Sequence, residues 1–202
     1  PGIGLLPQRQ KGHVTFGSFN NPAKVNESVV ALWSRVLKAM PGSRLLLKYK
    51  NGFGVVSVKS HYLKLFESCG IPADRLMLVG ADEGMVSHLS RYAEIDIALD
   101  TFPFTGSTTT FEALWMGVPV VTLLGDHMVA RWSGAMLKKL KLDELIAQSE
   151  DQYVKIAQGL AQDPDRLASL RAGLRERVAK SPLCDEKGRT RQIERAYRWM
   201  WA

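Results

Sequence analysis

Short β-rich runs alternate with longer helical patterns along most of this chain, and that alternation limits the fold more than any other feature. Val14–Phe19 reads as a strand ending in the polar loop Asn20–Ala23. Asn26 to Met40 then places Val29, Leu32, Val36 and Leu37 on one helical face, and Pro41–Gly42 stops it. Arg44–Lys50 is a second strand, carried by Leu45, Leu46 and Leu47. His61–Cys69 reads as helix, ended by Gly70 and Pro72. Leu76–Val79, Ile95–Leu99 and Val118–Leu124 are further strands, separated by helices over Met85–Tyr92 and Thr108–Met116. Beyond Met128 the pattern is helical almost to the end. Strands separated by helices pair in parallel and are covered on both faces. The expected fold is therefore α/β: a doubly wound, mostly parallel Rossmann-like sheet with a helical C-terminal tail. Ligands of such sheets sit outside the carboxyl ends of the strands, near a topological switch point.

Residues 1–13 read as a linker, 14–148 as the Rossmann-like domain and 149–202 as its C-terminal helical extension. Arg166, Arg171, Arg175, Glu176, Arg177 and Lys180 in the extension read as solvated helix faces. Tyr197, Trp199 and Trp201 need an apolar surface, from this domain or from a neighbour. The chain opens in a loop, which raises the expectation of a fragment of something larger.

With 202 residues, 46% of them hydrophobic, the chain can bury a core without staples. Cys69 and Cys184 lie far apart without CxxC spacing, which argues against zinc or a disulfide framework and fits a reducing cytoplasm. No apolar run approaches the roughly 18 residues of a membrane span. The net charge of +7 points to an anionic partner. A basic nucleic-acid-binding domain is a distant alternative, because no aromatic-interleaved basic motif accompanies the charge. Neither nucleic acid nor membrane is expected as a partner.

The stretch Asp100–Glu112 carries the most chemistry. Gly106 permits a tight turn, and Ser107, Thr108, Thr109 and Thr110 place hydroxyls where a helix begins. Free N–H groups, hydroxyls and the positive end of the helix dipole together favour a phosphate. A capping box from Thr109 to Glu112 accounts for many of the same residues. If it does not form, Glu112 is free to accept hydrogen bonds from ribose hydroxyls. Lys24, in the loop after the first strand, either neutralises phosphate or is a solvated surface lysine. His88 and Arg91 lie three apart on one helical face, placed to meet a base or to serve structure alone. No GxxxxGKS/T, GxGxxG or GxSxG motif appears, and Asp96 and Asp100 form no Asp-x-Asp pair.

Taken together, Thr15–Lys24, Ala98–Pro103, Gly106–Thr122 and Ser181–Asp185 resemble the C-terminal catalytic lobe of the protein O-GlcNAc transferase and SPINDLY family. The wording is closest to bacterial SPINDLY-like members, and the resemblance covers Val14 to Trp201. It implies the C-terminal lobe of a GT-B glycosyltransferase, one that inverts the anomeric centre and needs neither metal nor other cofactor. It also implies a nucleotide-sugar donor of UDP-GlcNAc or GDP-fucose type and Ser or Thr hydroxyls of proteins as acceptors. An N-terminal catalytic lobe and tetratricopeptide repeats are the implied partners, and without the N-terminal lobe this chain should be inactive. The alternative is a non-catalytic nucleotide-sugar-binding or interaction module.

By position, Lys24 matches a lysine that contacts the diphosphate and supports its departure. Thr108 and Thr109 match a threonine pair on the diphosphate, and His88 and Arg91 a histidine and arginine near the base. Asn21, Ser107 and Glu112 stand where animal members have glutamine, histidine and aspartate, which leaves the donor open.

Overall fold

The computed structural model describes residues 1–201, and among them six strands form one sheet. In chain order the elements are α1 (Pro7–Lys11), β1 (Thr15–Ser18), α2 (Glu27–Ala39), β2 (Arg44–Lys48), α3 (Val56–Ser68), β3 (Leu76–Val79), α4 (Gly84–Ser90), β4 (Ile97–Leu99), α5 (Thr108–Trp115), β5 (Val120–Leu123), α6 (Trp132–Lys139), β6 (Ile146–Ala147), α7 (Glu150–Ala161), α8 (Pro164–Ala179) and α9 (Glu186–Trp201). The strand order is β3-β2-β1-β4-β5-β6, and every pairing is parallel. The chain winds outward from β1 in one direction, returns at β4 and winds outward in the other. The order therefore reverses between β1 and β4, and their carboxyl ends flank a crevice.

Both faces of the sheet are covered, so its central strands are apolar on both sides. Phe16, Leu45, Leu46, Leu47, Ile97 and Val121 are all buried. On one face α2 and α7 meet where Trp33 Nε1 donates to Tyr153 Oη at 3.3 Å. The Tyr153 hydroxyl in turn donates to the Asp100 carbonyl at 3.0 Å. Asn26 starts α2 by accepting the Val29 N–H at 2.9 Å, a side-chain cap.

Several expectations change. The chain after Met128 is not purely helical, because Ile146–Ala147 adds a sixth strand beside Thr122–Leu123. Segment 1–13 contains α1, with Pro7 in its first turn and left-handed Gly12 behind it. It is docked, since Gln8 N donates to Asp96 Oδ1 at 2.8 Å and Gln8 Nε2 to the Ala161 carbonyl at 3.0 Å. Arg171 is not on a solvated face. It is 3% exposed and donates to the carbonyls of Gly4, Ile95 and Tyr92. Its neighbour Arg175 donates to the Trp115 carbonyl at 2.7 Å. Tyr197, Trp199 and Trp201 find no cover on this domain and stay exposed on α9. Among the described residues no helix is long and apolar enough to cross a membrane.

Candidate functional site

Two loops leave the sheet at the reversal point. In the first, after β1, the Asn21 side chain accepts the Ala23 N–H at 3.0 Å and holds the 3-10 turn Pro22–Lys24. That turn aims Lys24 across the crevice, where its Nζ donates to the Thr105 carbonyl at 3.0 Å and lies 4.1 Å from the Phe104 ring centroid. Burial holds the Lys24 ammonium below the ordinary lysine value, and the nearby Asp100 charge offsets part of that.

The second loop, after β4, folds around the Asp100 carboxylate. This group is 2% exposed and accepts from Gly106 N at 2.7 Å, Thr101 N at 3.0 Å and Thr122 Oγ1 at 2.7 Å. Burial pushes its carboxyl up, against the pull of those hydrogen bonds. Gly106 must be glycine because a Cβ there would collide with Thr110 Oγ1 and come within 3.1 Å of Asp100 Oδ1. Thr110 is turned inward, its hydroxyl 2.8 Å from that of Ser133, which donates to the Gly106 carbonyl at 3.1 Å. It braces the turn and does not face the crevice. Thr109 Oγ1 donates to Asn20 Oδ1 at 3.0 Å and ties the two loops together.

The capping box does not form. Ser107 is the N-cap of α5 and makes no side-chain capping bond among the described residues. Glu112 sits within the helix and is used elsewhere, its Oε2 accepting from Tyr92 Oη and contacting His88 Nε2, both at 3.1 Å. The start of α5 is thus left without a side-chain lid, with Thr108 exposed beside it.

Beside that helix start is a cleft of about 420 Å³, lined by Phe19, Lys48, His88, Thr108, Thr109 and Glu112. Its size suits a nucleoside. Phe19 and Tyr92 are buried with ring centroids 4.2 Å apart, and Tyr92 meets His88 edge-on at 5.9 Å. Burial, then the Glu112 charge, pushes the Tyr92 hydroxyl well up, so it remains a donor. Arg91 does not join His88 in the cleft. Its Nε donates to Asp82 Oδ1 at 2.8 Å and its Nη1 to Glu94 Oε1 at 2.9 Å. Asp82 also pairs with Lys48 at 2.7 Å. Burial alone would raise the Asp82 carboxyl, but hydrogen bonds from Lys48 and Arg91 outweigh it and hold the group below the usual range.

Lys24, Ser107, Thr108, Thr109, His88 and Glu112 are therefore brought to one edge, while Asn21, Thr110 and Arg91 hold neighbours in place. Asn20 and Asp100 lie in the stretches that the sequence marks but without an assigned role, and Lys48, Asp82 and Tyr92 were missed. A lysine ending the buried run Leu45–Leu46–Leu47 was the one available signal for Lys48.

A six-stranded, all-parallel, doubly wound sheet with its crevice at the reversal point is the architecture of a nucleotide-binding lobe, and it matches lobes of the GT-B glycosyltransferase kind. A sucrose-phosphate synthase from Thermosynechococcus elongatus shares that fold, with a TM-score of 0.62 at 17% identity over 96% of this chain and 48% of its own. The chain belongs to glycosyl transferase family 41, whose model matches residues 6–193. It is 45% identical to a SPINDLY protein of Petunia hybrida, described as a probable UDP-N-acetylglucosamine–peptide N-acetylglucosaminyltransferase, over 98% of this chain. It spans only 21% of that relative's length. A solved O-GlcNAc transferase mutant from Thermobaculum terrenum matches with a TM-score of 0.88 and 38% identity, over 94% of this chain and 36% of that one.

Proposed function

We propose that this chain is the donor-binding lobe of an inverting glycosyltransferase that moves a sugar from a nucleotide-sugar to Ser or Thr hydroxyls of proteins. One observation carries the proposal: the loops after β1 and β4 bring Lys24, the open start of α5 and the His88–Glu112 cleft to a single edge. The nucleoside lies in the cleft, with its ribose at Glu112 and its base near His88. The diphosphate lies against the first N–H groups of α5, the Ser107, Thr108 and Thr109 hydroxyls, and Lys24. The acceptor hydroxyl attacks the anomeric carbon in line, the bond to the diphosphate breaks, and the Lys24 cation with these dipoles and hydroxyls stabilises the charge that develops on the leaving group. That charge is assigned to the protein's own groups and not to a metal ion, so chelator should leave turnover unchanged. UDP-GlcNAc is the donor in the name of the petunia relative. GDP-fucose is its competitor in the same assay.

The cleft is open on one side, and a second lobe is needed to close it and to supply the group that takes the acceptor proton. Ile193, Tyr197 and Met200 share one exposed face of α9 and offer that lobe an apolar surface. A transfer assay with labelled donor tests the proposal in a protein carrying both lobes. Transfer to protein that is lost in Lys24→Ala supports it. Binding of donor without any transfer would leave a nucleotide-sugar-binding module instead.

A further inference from the structure

The cleft holds a cation that the donor scheme does not use. Lys48 ends β2 with only 2% of its side chain exposed, and its Nζ pairs with Asp82 Oδ2 at 2.7 Å while hydrogen-bonding His88 Nδ1. An ammonium has donors and no acceptor. His88 Nδ1 must therefore accept, and the ring proton belongs on Nε2. Nε2–H then donates to Glu112 Oε2 at 3.1 Å. The Tyr92 hydroxyl lands on that same oxygen at 3.1 Å. Both protein donors thus take Oε2, and Oε1 receives none among the described residues. Asp82 is fixed in turn, because Arg91 Nε holds its other oxygen at 2.8 Å.

We propose that Lys48 is a positioning residue of this site. Through His88 it sets the ring tautomer, and through the tautomer it turns Glu112 so that Oε1 is the acceptor offered to the ribose hydroxyls of a nucleotide. With the proton on Nδ1 instead, Nε2 would present a lone pair to the carboxylate, and Glu112 would swing away. The ribose half of this proposal rests on the nucleoside occupying the cleft. The tautomer half does not.

Long-range ¹⁵N correlation spectra of the 202-residue chain test the first half without any nucleotide. His88 should carry its proton on Nε2 in the wild type. A proton on Nδ1 there overturns the proposal, and no variant is needed to see it. In Lys48→Met the Asp82 carboxylate loses its cation and competes with Glu112 for the ring proton, so an Nδ1–H population should appear, and Lys48→Arg, which keeps the donors, should restore Nε2–H alone. The double variant Lys48→Met with Asp82→Asn removes that competing carboxylate and should keep Nε2–H, and where the single variant fails to fold the wild-type spectrum still decides the tautomer.

Calorimetry with UDP and 2′-deoxy-UDP, and with the GDP pair, reads the second half. The wild type should favour the ribose form by about tenfold, the worth of one hydrogen bond to a charged acceptor. Lys48→Met should bring that ratio close to one while still binding both. An unchanged ratio with His88 still protonated on Nε2 overturns the role of Lys48. If no nucleotide binds the wild type, the donor assignment fails by itself, and the spectra still decide the relay.

Discussion

Lys24 reaches the crevice from a turn that Asn21 holds, and its ammonium is half-buried against Phe104 and Thr105. Lys24→Ala should weaken nucleoside diphosphate binding by about 10- to 100-fold, the range of a charge-assisted hydrogen bond of about 1.5–3 kcal/mol. Titration calorimetry from pH 7 to pH 10 adds a sign. Burial lowers the Lys24 value, so the cation is complete below that lowered value and is lost as pH rises through it. Affinity should fall along that limb in the wild type and stay flatter in Lys24→Ala. Asp82 gives the opposite limb. Its carboxyl is held low, so its contribution to stability is fully present above about pH 3.9, the ordinary aspartate value, and is lost as pH falls through the folded value. Asp82→Asn leaves the buried Lys48 cation without its carboxylate and should cost about 3–5 kcal/mol at neutral pH. Chemical denaturation at pH 7 and at pH 3 should show that cost shrinking in acid.

Among the elements, the start of α5 depends most on contacts from elsewhere. Asp100, Ser133 and Thr122 hold the Gly106 turn from one side, and Asn20 holds Thr109 from the other. Gly106→Ala should push Thr110 out of place and cost about 1–3 kcal/mol of stability, the usual price of overpacking. Its diphosphate affinity should fall further than stability alone explains, and thermal melts paired with calorimetry separate the two. The same element shows what spacing in a sequence hides. Thr109 and Glu112 have the spacing of a capping box, yet Glu112 is claimed by His88 and Tyr92, 24 and 20 residues away. Periodicity reveals which face of a helix is buried, so α2 and the strands β1, β2 and β3 were legible to within a few residues. It reveals nothing about a two-residue strand, so β6 was missed. It also cannot tell a solvated arginine from one such as Arg171, whose partners are carbonyls 76 to 167 residues distant.

For the whole molecule, the sheet was legible because strands alternating with helices admit few other arrangements. The edge proposed to bind the donor followed from that order alone. The composition of the site was legible where one loop carried it, as at Ser107–Thr109. It was hidden where β2 and the loop after β3 converge on α4, as at Lys48 and Asp82, the partners that gather around His88. With one side of the cleft open, this chain by itself should bind donor but transfer little or no sugar to protein. Robust protein glycosylation by the 202-residue chain would show that the second lobe is not needed. The central claim, that the β1–β4 edge holds a nucleoside diphosphate, is tested most directly by calorimetry of this chain with UDP, GDP, UDP-GlcNAc and GDP-fucose. The predicted result is one-to-one binding of one nucleoside diphosphate together with its sugar conjugate, weakened in both Lys24→Ala and Thr108→Ala. No binding of any of the four at millimolar concentration, or binding that both variants leave intact, would contradict it.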